Sequence, residues 1–141
     1  MATAESCTGG LVAAALTSIA GSSSAFDRGF VTYSNDAKSG LVDVSADLLE
    51  RYGAVSEPVA RAMALGAVSR STAAVSVSIT GIAGPGGGSQ EKPVGLVHFA
   101  AVGPAGIVHV EKRFGNIGRE AIRLASVRAA LDLLADRLAH P

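Results

Sequence analysis

A serine hydroxyl attacks a carbonyl only when a neighbouring base takes its proton. Where no histidine is at hand, a lysine held partly neutral can be that base. One stretch of this chain holds the required residue types: Ser22-Ser23-Ser24, then Tyr33-Ser34-Asn35-Asp36-Ala37-Lys38. A tyrosine between serine and lysine can relay the proton. The same residues also fit a serine turn, a strand tyrosine packed in the core and a solvated surface lysine, because no Ser-x-x-Lys spacing links these serines to Lys38.

Two further polar clusters stand out. In Glu5-Ser6-Cys7-Thr8-Gly9-Gly10, small residues precede the apolar run Leu11–Leu16. Such a helix start exposes backbone N–H groups to a phosphate or carboxylate. Plain capping, with Thr8 as the N-cap, fits equally. No lysine follows the glycines, so this is not a Walker A loop. Cys7 at a helix start makes a thiol amidase with lysine and glutamate partners a rival mechanism. A small buried residue is the plainer account of a lone cysteine. In Thr80-Gly81-Ile82-Ala83-Gly84-Pro85-Gly86-Gly87-Gly88, five glycines follow a buried strand. Their N–H groups suit an anion or an oxyanion, and a flexible connection is the alternative. No dinucleotide fingerprint is formed, since that needs a following helix and an acidic residue. Arg119 and Arg123 lie four apart on one helix face, a spacing that can clamp phosphate. Taken alone, solvated helix arginines are the simpler account. His98, His109 and His140 are in no metal-ligand spacing, so no metal is expected.

These clusters need elements to hold them. Met1–Ala4 reads as the end of a strand. A helix starts near Thr8 or Gly9 and ends at Ala20-Gly21. Phe30–Tyr33 reads as a strand, and Asn35 or Asp36 caps a short helix through Leu41. Ser45 caps a helix over Ala46–Tyr52, with Gly53 as its stop. Ser56 before Glu57-Pro58 starts a helix to about Arg70, with Val59, Met63, Gly66 and Ala67 buried. Ala74–Thr80 is a buried strand. Val94–Val102 and Ile107–Phe114 form a hairpin around Gly103-Pro104-Ala105-Gly106. Gly118–His140 is one amphipathic helix whose apolar face carries Ile122, Ala125, Ala129, Leu133 and Ala135 to Leu138. The pattern predicts an α/β fold, a three-layer α/β/α arrangement with a mixed, mostly parallel sheet including one antiparallel hairpin, in a single domain over residues 1–141.

Hydrophobic residues make up 48% of the 141, enough for one core. Twelve basic and twelve acidic residues cancel, so no field collects nucleic acid or an anionic membrane. With one cysteine no intrachain disulfide forms. No apolar run reaches the roughly 20 residues of a membrane helix, and the N-terminus carries no signal-peptide pattern. A soluble, cytoplasmic protein acting on a small molecule is expected.

Together the blocks resemble a known family. Glu-Ser-Cys-Thr-Gly-Gly at 5–10, Ala-Gly-Ser-Ser at 20–23 and Arg-Gly-Phe-Val-Thr-Tyr-Ser-Asn at 28–35 with Lys38 are three of its motifs. Gly-Ala-Val-Ser-Glu-Pro-Val at 53–59, Thr-Gly-Ile-Ala-Gly-Pro at 80–85 and Lys-Pro-Val-Gly at 92–95 are three more. In order, they look like the C-terminal domain of the competence/damage-inducible protein CinA, whose stand-alone members are nicotinamide mononucleotide deamidases.

The resemblance implies an amidohydrolase of pyridine-nucleotide salvage, within NAD metabolism. It would convert nicotinamide mononucleotide and water to nicotinate mononucleotide and ammonia. It implies Ser23 as nucleophile, with Ser22 or Ser24 one place away, and Tyr33 and Lys38 as partners. Ser6, Thr8, Gly9, Gly10, Thr80, Gly81, Gly84, Arg119 and Arg123 are then the substrate-binding set. No cofactor is implied, and a cytoplasmic homo-oligomer is. The alternative is a non-catalytic pyridine-nucleotide-binding module or a competence/damage-related interaction module. In one respect the chain departs from the family, which carries a helix and a fuller first strand before Glu5. Apolar surface exposed on one sheet face is expected in consequence. The separate N-terminal domain of full CinA proteins is not matched, and no pyrophosphatase activity is carried over.

Overall fold

The computed structural model describes residues 1–140. Strand β1 (Ala2–Glu5) lies in the middle of the sheet with all of its residues buried. It pairs in parallel with β2 (Arg28–Val31) on one side and β3 (Ser76–Gly81) on the other. Strand β4 (Leu96–Gly103) runs antiparallel to β3, and β5 (Gly106–Arg113) antiparallel to β4. The order is β2-β1-β3-β4-β5, so β4 alone opposes the other strands. The mixed sheet is as expected, with two parallel and two antiparallel pairings. Antiparallel pairing extends beyond the hairpin, because the glycine loop after β3 returns the chain directly alongside it.

Helices α1 (Leu11–Thr17) and α5 (Arg119–Ala139) belong to one face. Val12, Ile122, Ala130 and Leu134 pack there on Val77, Ile79, Val97 and Phe99. Helices α2 (Asn35–Val42), α3 (Ala46–Tyr52) and α4 (Glu57–Ser69) belong to the other. Val42, Leu49, Val59, Met63 and Ala67 pack there with Ala2 and Ala4. The alternation of β3 explains the division. Val77 and Ile79 point to the α5 side. The hydroxyls of Ser76 and Ser78 donate to the Ala64 and Ala60 carbonyls of α4 at 2.7 and 2.6 Å. Small side chains there let α4 lie close, and the hydrogen bonds offset the burial of two polar groups.

Several boundaries differ from the sequence reading, each for a local reason. Helix α2 is capped by Ser34, whose hydroxyl accepts from Ala37 N–H, and not by Asn35 or Asp36. Strand β2 spans Arg28–Val31 and leaves Tyr33 beyond it. Helix α1 begins after Gly10 and stops at Thr17, short of Ala20. The hydroxyls of Thr17 and Ser18 bond back to the Ala13 and Ala15 carbonyls and compete with helix continuation. On α5 the fully buried stripe is Ile122, Ser126, Ala130 and Leu134. The expected Ala125, Ala129 and Leu133 are half-buried beside it, while Ala135 and Leu138 are exposed. Those half-buried residues line an open groove of about 750 Å³ with Phe99, Val110 and Phe114.

His98 and His109 stack across the β4–β5 ladder, with ring nitrogens 2.9 Å apart. Among the described residues no cluster of metal-ligating side chains occurs, and no helix is long and apolar enough to cross a membrane.

One glycine is fixed by packing. A methyl group at Gly66 of α4 would overlap the Val42 carbonyl at the end of α2. Alanine favours a helix interior by up to about 1 kcal/mol. The overlap reverses that preference, so Gly66→Ala is expected to destabilise by about 1–3 kcal/mol. Chemical denaturation should show a lower midpoint at unchanged m-value.

Candidate active site

β1, β2, β3 and β5 all end on one side of the sheet, and the N-terminus of α5 returns to that side. In open α/β sheets, ligands bind outside the carboxyl ends of strands. Lys38 of α2 is 1% exposed there. Its Nζ donates to the Thr32 carbonyl at 2.8 Å and lies 3.1 Å from the Ser6 hydroxyl oxygen. No carboxylate pairs with it among the described residues. Burial lowers its pKa from the usual lysine value, and only the Cys7 thiolate charge would act in the other direction. An amine without a counter-ion in such a place is expensive as a cation. As the neutral amine it can donate to Thr32 and offer its lone pair to the Ser6 hydroxyl. Such a pairing is able to activate a hydroxyl.

The turn that presents Ser6 is built from inside. The buried Glu5 carboxylate accepts Val12 N–H at 2.8 Å and Ala13 N–H at 3.0 Å. It replaces Thr8 as the group that caps α1, since Thr8 Oγ1 is buried without a partner. Gly9 and Gly10 take positive φ of 58° and 104°, which only glycine adopts freely. Sequence reasoning placed Glu5 in the motif and gave it no site role. The signal was there: an acid at the start of the turn that leads into a helix.

Cys7 is buried, and burial pushes its thiol up to about 11. The base also favours the hydroxyl over the thiol: Lys38 Nζ meets Ser6 at 3.1 Å, and no hydrogen bond joins it to the Cys7 sulfur among the described residues. Cys7→Ala should keep at least about one-third of wild-type kcat, since the change is small-for-small and leaves the Cys7 backbone contacts in place. A loss above a hundredfold in a folded variant would restore the thiol.

Tyr33 is 61% exposed, not packed in the core. Its hydroxyl oxygen accepts from Arg119 Nη2 at 2.9 Å, and Arg119 Nη1 donates to the Gly84 carbonyl at 2.7 Å. Arg123 donates to the Cys7 carbonyl at 3.0 Å and the Thr8 carbonyl at 3.3 Å. Neither guanidinium pairs with a carboxylate among the described residues. Thr80 donates to the Ala54 carbonyl at 2.8 Å and so holds the α3–α4 connection. Gly81 lies against Val97 and Leu96 of β4, where a side chain would not fit.

The structure thus brings Ser6, Thr8, Gly9, Gly10, Tyr33, Lys38, Thr80, Gly81, Gly84, Arg119 and Arg123 to one end of the sheet. Ser22, Ser23 and Ser24 stand at the other. They form a short 3-10 turn ahead of β2. The Met1 amino group donates to Ala25 O there, and Asp27 N–H donates to Met1 O. The length of β2 separates Ser23 from Lys38.

A family model described as the CinA C-terminal domain matches residues 1–138. The chain belongs to the CinA C-terminal domain family. A CinA-like protein of Parasynechococcus marenigrum (strain WH8102) is 53% identical over 98% of this chain, which spans only 33% of that protein. The chain thus covers about a third of the length of such CinA-like relatives. A protein named nicotinamide-nucleotide amidohydrolase PncC from Enterobacter agglomerans is 60% identical over 86% of this chain and 74% of its own. Its namesake from Escherichia coli (strain K12) is 51% identical over 94% and 80%. Among solved structures, the competence/damage inducible protein CihA of Agrobacterium tumefaciens superposes with a TM-score of 0.94. It is 59% identical, over 96% of this chain and 82% of that one. The sheet and helices described above are therefore those of the CinA C-terminal domain.

Proposed function

We propose that this CinA C-terminal domain is an amidohydrolase that converts nicotinamide mononucleotide to nicotinate mononucleotide and ammonia. The observation that carries the reading is the buried, unpaired Lys38 against the Ser6 hydroxyl. The printed names of the two PncC relatives support the substrate.

The Ser6 oxygen attacks the carboxamide carbon, and its proton passes to Lys38 Nζ. The tetrahedral intermediate collapses as the Lys38 ammonium returns a proton to the amide nitrogen, and ammonia leaves. Water then attacks the Ser6 ester with Lys38 again as base. The acyl C–O bond to Ser6 breaks, and the Lys38 ammonium returns the proton to the Ser6 oxygen as the nicotinate carboxyl group leaves. The Tyr33 hydroxyl serves the departing amine. The glycine turn after Ser6 supplies N–H groups to the oxyanion. Arg119 and Arg123, cations without anionic partners among the described residues, take the phosphate. The resemblance implied Ser23 as nucleophile, and we assign the attack to Ser6 because Ser23 lies at the opposite end of the sheet. The chemistry uses neither metal nor redox cofactor.

We further infer a cytoplasmic protein of one catalytic unit over residues 1–141, working as a homo-oligomer without nucleic-acid or membrane partners. Zero net charge supports the last point, and the open apolar groove beside α5 supports self-association. Purified protein mixed with nicotinamide mononucleotide should release ammonia and also melt at a higher temperature. Stabilisation without ammonia would instead mark a binding module.

A further inference from the structure

We propose that Arg119 makes turnover depend on the substrate's phosphate, by holding that phosphate and the Tyr33 phenol with one guanidinium. The inference rests on the amidohydrolase reading above and assigns a specificity residue to the same site.

Arg119 is the first residue of α5, and its fork spans two loops. One nitrogen donates to Gly84 O at 2.7 Å in the loop after β3, the other to Tyr33 Oη at 2.9 Å after β2. Both acceptors are neutral. A guanidinium carries five N–H donors in a plane, so several remain for a further acceptor. The charge that Arg119 lacks is what a phosphate brings, and Arg123 stands one turn along the same helix.

Tyr33 has little else to fix it. The phenol is largely exposed, and the Arg119 bond is the one its hydroxyl makes among the described residues. Because Arg119 donates, the phenol keeps its own hydrogen to give to the reacting amide. Tyr33 also directly follows Thr32, whose carbonyl binds Lys38 Nζ. Arg119, Tyr33, Thr32 and Lys38 thus form one connected line from the phosphate end to the base. An amide without the phosphate, such as the riboside, would leave Arg119 tied only to the neutral Gly84 carbonyl and the Tyr33 phenol less firmly held. Discrimination should then appear in kcat and not in KM alone.

Two readouts test this. The first is steady-state kinetics on nicotinamide mononucleotide and nicotinamide riboside, for wild type, Arg119→Gln, Arg119→Lys, Tyr33→Phe and the Arg119→Gln/Tyr33→Phe pair. Misplacing a catalytic group by an ångström is worth about a hundredfold. Arg119→Gln should therefore lower kcat on the nucleotide by about 10- to 100-fold. The riboside rate should change less than about threefold, in line with a residue whose ligand is absent. Arg119→Lys should recover KM and not kcat, since a point charge binds phosphate without the fork. In the Tyr33→Phe background, Arg119→Gln should alter KM alone. A rise in KM at constant kcat in both backgrounds would overturn the coupling.

The second readout needs no turnover. Tyr33 and Tyr52 are the only tyrosines and tryptophan is absent, so a Tyr52→Phe variant isolates Tyr33 emission. Nicotinamide mononucleotide should shift that emission in a saturable way, and Arg119→Gln should abolish the shift. If wild type releases no ammonia, the amidohydrolase reading fails by itself. The emission then decides: an Arg119-dependent shift sustains the coupling, and its absence overturns it.

Discussion

Lys38→Met should lose about 10²- to 10⁴-fold in kcat, the range typical of a lost general base, while folding at least as stably as wild type. The two effects have one cause. The amine is buried without a carboxylate, and burial holds its pKa below the usual lysine value. The folded state therefore binds this proton less readily than the unfolded chain does. Stability linked to Lys38 increases as pH rises from the folded pKa toward about 10.4, and the full penalty is felt below the folded value. Methionine has a similar shape and no charge, so it removes that penalty together with the base. Wild-type kcat should rise with pH through the Lys38 pKa, a limb that the methionine variant lacks. Lys38→Arg should not rescue, since a guanidinium does not give up its proton. Loss of activity accompanied by loss of fold would make Lys38 a structural residue.

Ser6→Ala should lower kcat by about 10³-fold or more, the scale of removing a nucleophile. Ser23→Ala should change it by less than about threefold, as for a surface serine outside the chemistry. Ser6 stands 3.1 Å from Lys38 Nζ, whereas Ser23 lies before β2, at the end of the sheet where Met1 meets Ala25. Both variants remove one exposed or half-buried hydroxyl, so differences in folding should be small and circular dichroism would check them. Ser23→Ala inactive beside an active Ser6→Ala would reverse the assignment, and a second copy of the chain would then have to bring Ser23 to Lys38.

The sequence analysis recovered the layers because their signals are local. Ser45 and Ser56 cap the helices they precede, and Glu57-Pro58 opens α4 as proline in a first turn does. The run of small and β-branched residues in β3 and the glycine turn between β4 and β5 are likewise short-range. Two kinds of feature were not legible. One is competition between side chain and backbone, as where Thr17 and Ser18 end α1 early and Glu5 displaces Thr8 as its cap. Residue types permitted both outcomes, and only the packed turn decides. The other is contact across the sheet. Lys38 and Ser6 are 32 positions apart and meet only through the parallel pairing of β1 with β2. The nearer serines at 22–24 offered the right residue type without a Ser-x-x-Lys spacing, and they lie at the far end of β2 from Lys38. Lys38, Tyr33 and the two arginines were singled out from residue type and resemblance, and the fold brings them to one end of the sheet. Their partners were not singled out, because hydrogen-bond partners depend on register.

The most direct test of the Ser6–Lys38 account measures ammonia and nicotinate mononucleotide together, from purified wild type and from Ser6→Ala at equal folded content. The account expects the two products in a one-to-one ratio from wild type and neither above background from Ser6→Ala. Product at the wild-type rate from Ser6→Ala, or none from wild type, would contradict it.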